Sequence, residues 1–337
     1  MANVIIGIHG LGNKPPEEIL ATWWKAAMAE GLKNSGHDSA MIRFSLAYWA
    51  DILYDKRQDP SEKDPVSPYY MDEKYNKASG DFTGEDYSTR KKVIDFLGRQ
   101  MNRIFLNEDL TLNYSFITDA IIHRYFNDLE IYYSGHILDI KKNALLNAGE
   151  LIRERLLSLL KAHSKDEIML IGHSMGSIIA YDVLTFLAPD IRINTLVTMG
   201  SPLGLPVIIS RTAAEAGQRG MDNKQLATPP GVIRKWYNFS DLHDKVSFNY
   251  RLSDHYSENA HGVKPFDILI INNYESNGIR NPHKSFGYLR ATQFTEILNE
   301  FILSEKLSLV QKAGRSISRM TRSLRSLISP AGQKTRQ

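Results

Sequence analysis

The chain has 337 residues, of which 42% are hydrophobic, and its formal net charge at neutral pH is +3. A chain of this length can bury a substantial core, and an α/β fold of this size is usually one domain with insertions. Because the sequence contains no cysteine, disulfides, thiol catalysis and cysteine-ligated metal sites are excluded.

The charge is unevenly distributed along the chain. Eight of the 41 basic residues lie from Lys306 onward, where there is no acidic residue. The body, residues 1–305, is therefore mildly acidic, and the tail, residues 306–337, is strongly basic. Specific nucleic-acid binding is not expected, because the sequence has neither zinc-ligand spacing nor interleaved aromatic and basic residues.

The N-terminal segment is apolar but short. MANVIIGIHG has no basic region before its apolar run, so it is interpreted as a strand and not as a signal peptide. No window of the sequence approaches the length of a membrane-spanning helix. A cytoplasmic location is therefore the default expectation.

The first predicted strand covers residues 4–8, an apolar and β-branched run that is typical of a buried parallel strand. The sequence HGLG follows at residues 9–12. A helix is predicted through about residue 32, since two prolines and two glutamates at 15–18 form a favourable helix start. The next strand is predicted at 41–48.

Residues 55–90 are charged, rich in proline and tyrosine, and poor in aliphatic residues, so they contribute little core. Helical spacing of apolar residues returns over 91–140. We interpret the insertion at about 55–145 as a helical lid over a site, with an apolar underside that suits an acyl chain. The alternative is a helical pair that only covers the sheet.

The central pattern begins with an amphipathic helix at 147–162 and an apolar strand at 168–171, followed by GHSMG at 172–176 and a second helix. This order is the context that a nucleophile elbow requires. Ser174 is expected in a strained turn, where Gly172 and Gly176 avoid β-carbon collisions. The N–H of Met175, at the helix start, is placed to bind an oxyanion.

The rest of the body alternates strands and loops. The predicted elements are a strand at 195–199, a polar surface segment at 207–230, a strand at 232–239, a last strand at 266–272, a loop at 273–281, and a final helix after His283. The whole pattern predicts a compact α/β fold, with a mostly parallel sheet flanked by helices.

GHSMG and HGLG resemble the α/β-hydrolase superfamily, and more narrowly its lipases and serine esterases. The resemblance covers the sheet-forming segments within residues 3–303, and it implies the chain order serine, acid, histidine. Ser174 would then be the nucleophile and His283 the base. The acid would be Asp244, with Asp241 as the alternative, and His243 fails on chain order.

The resemblance also implies a second oxyanion donor, the N–H of Leu11, in the loop after the first strand. Gly10 lets that loop fold back over the serine, and His9 would anchor the loop, with a catalytic role as the alternative. One residue departs from the family pattern. Lys245 stands where many relatives have proline, and if it pointed inward it would compete for the Asp244 carboxylate.

The sequence therefore predicts a serine hydrolase of carboxylic esters, lipase- or phospholipase-like, that works through an acyl-enzyme. Its substrate would be an ester with an acyl chain, and no metal or organic cofactor is implied. Two alternatives remain open. One is an acyltransferase or thioesterase with the same triad, and the other is a non-catalytic scaffold of the hydrolase fold that binds a partner.

The tail has a pattern of its own. On a helical wheel over residues 307–328, the apolar residues fall on one side and the basic residues on the other. The basic residues are Lys312, Arg315, Arg319, Arg322 and Arg325. Such a helix predicts peripheral contact of residues 306–328 with anionic lipid. The alternatives are a helix that docks on a partner, a disordered basic arm and a plain solvated tail.

Overall fold

The central sheet has six strands, and every neighbouring pair runs parallel. The computed structural model describes residues 2–39, 42–71, 73–78, 90–92, 95, 129–133, 135–139, 144–221 and 225–305. Within them the strands are β1 Asn3–Ile8, β2 Phe44–Ala47, β3 His136–Asp139, β4 Ala144–Asn147, β5 Glu167–His173, β6 Ile193–Met199, β7 Leu226–Ala227, β8 Val232–Ser240, β9 Tyr256–Ser257, β10 Pro265–Leu269, β11 Glu275–Ser276 and β12 Ile279–Arg280.

The strand order across the central sheet is β10-β8-β6-β5-β1-β2. The helices are α1 Glu17–Asn34, α2 Ala50–Leu53, α3 Ala148–Ala162, α4 Met175–Asp182, α5 Pro206–Gln218, α6 Ser285–Leu289 and α7 over 292–305. This parallel sheet flanked by helices confirms the predicted α/β fold class.

Alternate residues of the central strands point to opposite faces of the sheet, and each face carries its own core. Ile6 and Leu170 pack with apolar residues of α3 and α4. Ile5 and Met169 pack on the other side with apolar residues of α1, α6 and α7. Burial of each such side chain stabilises the fold by roughly 1.5–3 kcal/mol. The packing on both faces therefore fixes the positions of the strands from whose ends the loops of the site begin.

Two local predictions are wrong. The segment predicted as a polar surface excursion contains α5, whose buried residues Ile208, Ile209, Ala213 and Ala216 recur at helical spacing between polar ones. The segment predicted as a loop at 273–281 contains the β11–β12 hairpin. Its turn residues Asn277 and Gly278 both have positive φ, 52° and 75°, which is the two-residue turn that an Asn-Gly pair favours.

The lid and the tail remain predictions. Residues 79–89, 93–94 and 96–128, which make up most of the proposed lid, and the whole tail from 306 to 337 lie outside the described residues. The described end of the insertion is a helical turn at 129–133 and the antiparallel β3–β4 pair, which leads into α3. In the part of the chain that the structure describes, no helix combines the length and the apolar character needed to cross a bilayer.

Candidate active site

Five residues of the candidate site lie at one edge of the central sheet. In a parallel sheet the carboxyl ends of all strands meet at the same edge. His9 follows β1, Ser174 follows β5, Gly200 follows β6 and Asp244 follows β8. The fifth residue, His283, precedes α6, where the chain returns to this edge.

Ser174 occupies a sharp turn between β5 and α4. Its backbone angles are φ 54° and ψ −128°, a conformation that costs free energy for any residue with a side chain. Glycines make the turn feasible. A β-carbon on Gly172 would lie 2.7 Å from the Ser177 Cα, and one on Gly176 would overlap the Ile8 carbonyl. The close packing around Gly172 and Gly176 therefore keeps Ser174 in this strained conformation.

Three side chains form a continuous hydrogen-bonded chain at this edge. Ser174 Oγ lies 3.0 Å from His283 Nε2, and His283 Nδ1 lies 2.9 Å from Asp244 Oδ2. The Asp244 side chain is fully buried, whereas 22% of the His283 side chain is exposed. The backbone N–H of His283 donates to Asn281 Oδ1 at 3.0 Å. The geometry therefore presents a hydroxyl, an imidazole and a buried carboxylate in series.

The Asp244 carboxylate receives two further hydrogen bonds. The Tyr288 hydroxyl donates to Oδ2 at 2.8 Å, and the Val246 N–H donates to Oδ1 at 2.9 Å. Burial and the two nearby carboxylates, of Asp244 and Asp241, raise the pKa of Tyr288 well above its usual value. Lys245 is exposed while Asp244 is buried, so the competition for the carboxylate that the sequence allows is not formed.

Asp241, the alternative acid, has different partners. Its Oδ2 accepts hydrogen bonds from Arg280 at 2.7 Å and from the Asn272 N–H at 2.7 Å. Its Oδ1 accepts the His243 N–H at 2.7 Å. These contacts tie the loop after β8 to the segment after β10. The structure thus brings Asp244, and not Asp241, against His283.

His9 lies beneath the loop that follows β1. The Trp49 N–H donates to His9 Nε2 at 3.1 Å, so the ring proton is on Nδ1, which lies 2.8 Å from the Gly10 carbonyl oxygen. The ring also stacks on Trp49, with centroids 4.7 Å apart. Burial, with a smaller effect of the Lys14 charge, lowers the pKa of His9 to about 3. A neutral, fully hydrogen-bonded imidazole holds this loop in place.

The loop itself lies directly on the serine. A β-carbon on Gly10 would be 2.6 Å from the Ser174 Cβ, so this residue has to be glycine for the loop to approach so closely. Leu11 follows in the loop, and the Lys14 ammonium donates to its carbonyl oxygen. Among the described residues, none accepts a hydrogen bond from the N–H of Leu11 or of Met175.

Two residues of this site are missed by sequence reasoning. His173, inside the GHSMG motif, lies with Nε2 2.7 Å from the His283 carbonyl oxygen, but the motif accepts any residue at that position. Gly200 has φ 52°, and a β-carbon there would be 2.8 Å from Asp244 Oδ2 and 3.1 Å from His283 Nδ1. Its signal in the sequence is a glycine directly after a buried strand and before Ser201 and Pro202.

A cavity of about 170 Å³ opens beside Ser174 and His283. Part of its lining is apolar and comes from Leu20, Trp24, Met71 and Phe286. Another part is polar and charged and comes from Lys14, Glu73, Asn281 and Lys284. Glu73 accepts a hydrogen bond from the Lys284 ammonium at 2.9 Å and another from the Asn281 amide. The cavity can therefore take a ligand with one apolar and one polar portion.

Comparison with known protein families identifies a match over part of the chain. A model of the PGAP1-like alpha/beta domain matches residues 92–225. The matched segment includes Ser174 with the strand and helix around it, and it ends before Asp244 and His283. No curated protein matches the sequence significantly.

Proposed function

We propose that the chain, which belongs to the α/β-hydrolase superfamily and is a hydrolase-type protein, is a serine hydrolase of carboxylic esters. The observation that carries the proposal is the chain of hydrogen bonds from Ser174 through His283 to Asp244. Chain order agrees with the superfamily, in which serine precedes the acid and the acid precedes histidine.

In the proposed reaction, Ser174 Oγ attacks the acyl carbonyl and His283 Nε2 accepts the hydroxyl proton. The tetrahedral intermediate then collapses, and His283 returns that proton to the departing alcohol. Water attacks the acyl-enzyme with His283 again as base, and the second collapse releases the carboxylic acid and restores Ser174. Asp244 holds Nδ1–H of the imidazole and stabilises the cation.

The negative oxygen of each tetrahedral intermediate would lie between the N–H groups of Leu11 and Met175. Neither group donates to another described residue, and Met175 is the first residue of α4, where helix N–H groups carry partial positive charge. Fixed donors of this kind favour the charge that develops in the transition state. His9 and Gly10 support the donors by fixing the loop.

The proposed substrate is an ester with an acyl chain, as in lipases and phospholipases. The apolar lining from Leu20, Trp24 and Phe286 suits the acyl chain, because removal of methylene groups from water is favourable. The polar lining that contains Glu73 and Asn281 suits the alcohol portion, since a carboxylate accepts and an amide both accepts and donates hydrogen bonds.

Labelling with a fluorophosphonate probe tests the nucleophile. The parent protein should be labelled and should hydrolyse p-nitrophenyl esters, whereas Ser174→Ala should do neither. Ser201→Ala is the matched control, because Ser201 is also buried and its hydroxyl bonds to Ser177 Oγ at 2.7 Å. Labelling that persists in Ser174→Ala would refute the assignment. Product analysis with added alcohol separates hydrolysis from acyl transfer.

We also propose that the basic tail, residues 306–337, attaches the protein peripherally to anionic membranes, so that the enzyme acts at a cytoplasmic membrane surface. The eight basic residues and the absence of acidic ones support this. Deletion of the tail should weaken binding to vesicles that contain phosphatidylserine and leave hydrolysis of a soluble short-chain ester unchanged. Equal vesicle binding by both forms would contradict the anchoring role.

A further inference from the structure

The Tyr288 hydroxyl lies between two buried aspartates of the loop after β8. It donates to Asp244 Oδ2 at 2.8 Å and accepts the Asp241 N–H at 3.1 Å. The tyrosine is fully buried in α6. A buried hydroxyl with one donor and one acceptor at these distances has a single orientation, and its proton points at Asp244.

This contact falls on the same oxygen that faces the imidazole. Asp244 Oδ2 lies 2.9 Å from His283 Nδ1, while the other oxygen, Oδ1, accepts the Val246 N–H. A hydrogen bond to a carboxylate stabilises its anionic form and draws charge away from its other partners. The Tyr288 hydroxyl therefore competes electrostatically with His283 for the charge on Oδ2.

We propose that Tyr288 is a positioning residue of the triad, which holds the Asp244 carboxylate in line with His283 and limits how strongly that carboxylate attracts the imidazolium. This inference rests on the proposed function. The expected consequence is a weaker attraction between the Asp244 carboxylate and the imidazolium that forms when His283 accepts the Ser174 proton.

The surroundings of Tyr288 add little competing charge. The pKa of His173, whose ring centroid is 6.2 Å from that of Tyr288, is lowered well below its usual value by burial, so His173 stays neutral. Asp241 is paired with Arg280 at 2.7 Å.

The cavity lining that contains His283 also contains the charged residues Lys14, Glu73 and Lys284, and Lys284 is paired with Glu73 at 2.9 Å. Among the described residues, Asp244 Oδ2 has two hydrogen-bond partners, the His283 imidazole and the Tyr288 hydroxyl.

The test is Tyr288→Phe, which removes the hydroxyl and keeps the ring. The protonation of His283 is followed by NMR of histidine labelled at Cε1, with the resonance assigned through His283→Gln. The titration midpoint of His283 should move up by roughly 0.5–1 pH unit, because the carboxylate attracts the imidazolium more strongly. The acid limb of the kcat/KM profile should move in the same direction. Because the carboxylate is no longer held in line with His283, kcat should fall about tenfold with little change in KM.

The matched control is Tyr256→Phe. Tyr256 is equally buried, and its hydroxyl donates to the Leu203 carbonyl at 2.9 Å, away from Asp244. Its substitution should lower stability without moving the His283 titration. If Tyr288→Phe leaves the titration where it is, or moves it down, the proposal is overturned.

A second substitution covers the case in which Tyr288→Phe does not fold. Site-specific 3-fluorotyrosine at position 288 keeps the hydroxyl and makes it more acidic, so the midpoint should move in the opposite direction, to lower pH. An unchanged midpoint contradicts the proposal. Because the titration needs no turnover, it is independent of the proposed function, which fails separately if the parent protein neither hydrolyses esters nor reacts with the probe.

Discussion

His173 donates its Nε2–H to the backbone carbonyl of His283 at a distance of 2.7 Å. The two imidazole rings lie with their centroids 4.9 Å apart. Burial, followed by the charge of His283, lowers the pKa of His173 well below its usual value. The residue before the serine thus supports the backbone of the segment that carries His283.

Acid should destabilise the protein through His173 and His9. Both are held neutral by burial in the folded state, and the pKa of His9 falls to about 3. Above their unfolded value of about 6.5 both states are neutral, so the full stability is present. Below it the unfolded state binds more protons, and stability falls by up to about 1.4 kcal/mol per pH unit for each residue.

Urea unfolding between about pH 7 and pH 5 measures this effect. Burial raises the pKa of Asp182 to about 6, so the folded state binds a proton there as pH falls below about 6, and this increases the stability. Because this gain opposes the loss from the histidines, variants have to be compared with the parent protein. His173→Gln should show a shallower loss of stability than the parent protein, while His261→Gln, at an exposed position, should follow the parent. Identical slopes in all three proteins would show that His173 does not ionise on unfolding.

Asp244→Asn should mainly reduce activity, whereas Asp241→Asn should mainly reduce stability. Asp244 faces His283, so its loss should reduce kcat by about 10⁴-fold and leave the loop in place. Asp241 is a buried partner of Arg280, and removal of its charge should destabilise the fold by about 3–5 kcal/mol. Ester hydrolysis and urea unfolding of both variants give the comparison. Similar activities for the two variants would contradict the choice of Asp244.

That choice marks the limit of what the sequence reveals. The fold class can be predicted because each signal is local: an apolar run for β1, an amphipathic spacing for α3, and strand, GHSMG and helix around Ser174. The neighbours of Asp244 depend on the path of the loop after β8, and apolar periodicity does not encode that path. The resemblance ranks Asp244 before Asp241, but only the path of the loop brings the Asp244 carboxylate within 2.9 Å of His283.

Residues that act through another residue are harder still to predict. Tyr288 has the apolar spacing of a residue that packs α6 on the sheet, and nothing local shows that its hydroxyl reaches Asp244. His173 stands at a motif position where any residue is accepted. Helix α5 is not apparent from the sequence for a related reason, because its buried positions are separated by polar and small residues. In each case the deciding contact joins segments that are far apart in the sequence.

The acyl-chain site should respond to the size of residue 20. Leu20 lines the cavity from α1, and Leu20→Phe should fill part of the apolar end. Hydrolysis of octanoyl esters should then fall about tenfold relative to acetyl esters, since small changes in an apolar pocket are worth roughly 1–3 kcal/mol. Thr22→Phe, at an exposed position of the same helix, is the control. A loss that is equal for all chain lengths would place the acyl chain elsewhere.

Gly200 offers a test of how tightly the triad is packed. A β-carbon at this position would lie 2.8 Å from Asp244 Oδ2 and 3.1 Å from His283 Nδ1, so Gly200→Ala should push the carboxylate and the imidazole apart. The positive φ of 52° adds a backbone cost of about 1 kcal/mol for alanine. A displacement of about 1 Å at a reacting group can cost up to about 100-fold in rate. We therefore expect a large loss of kcat in Gly200→Ala, with only a small decrease in the free energy of unfolding.

Gly220→Ala separates the two effects. Gly220 also has positive φ, 71°, but a β-carbon there would meet no atom within 4 Å. It therefore carries the backbone cost of about 1 kcal/mol without the contact. Urea unfolding should report a similar backbone cost in the two variants, whereas ester hydrolysis should be lost only in Gly200→Ala. Full activity in Gly200→Ala would mean that Asp244 and His283 can move apart without harm, and that their observed alignment is not what the reaction requires.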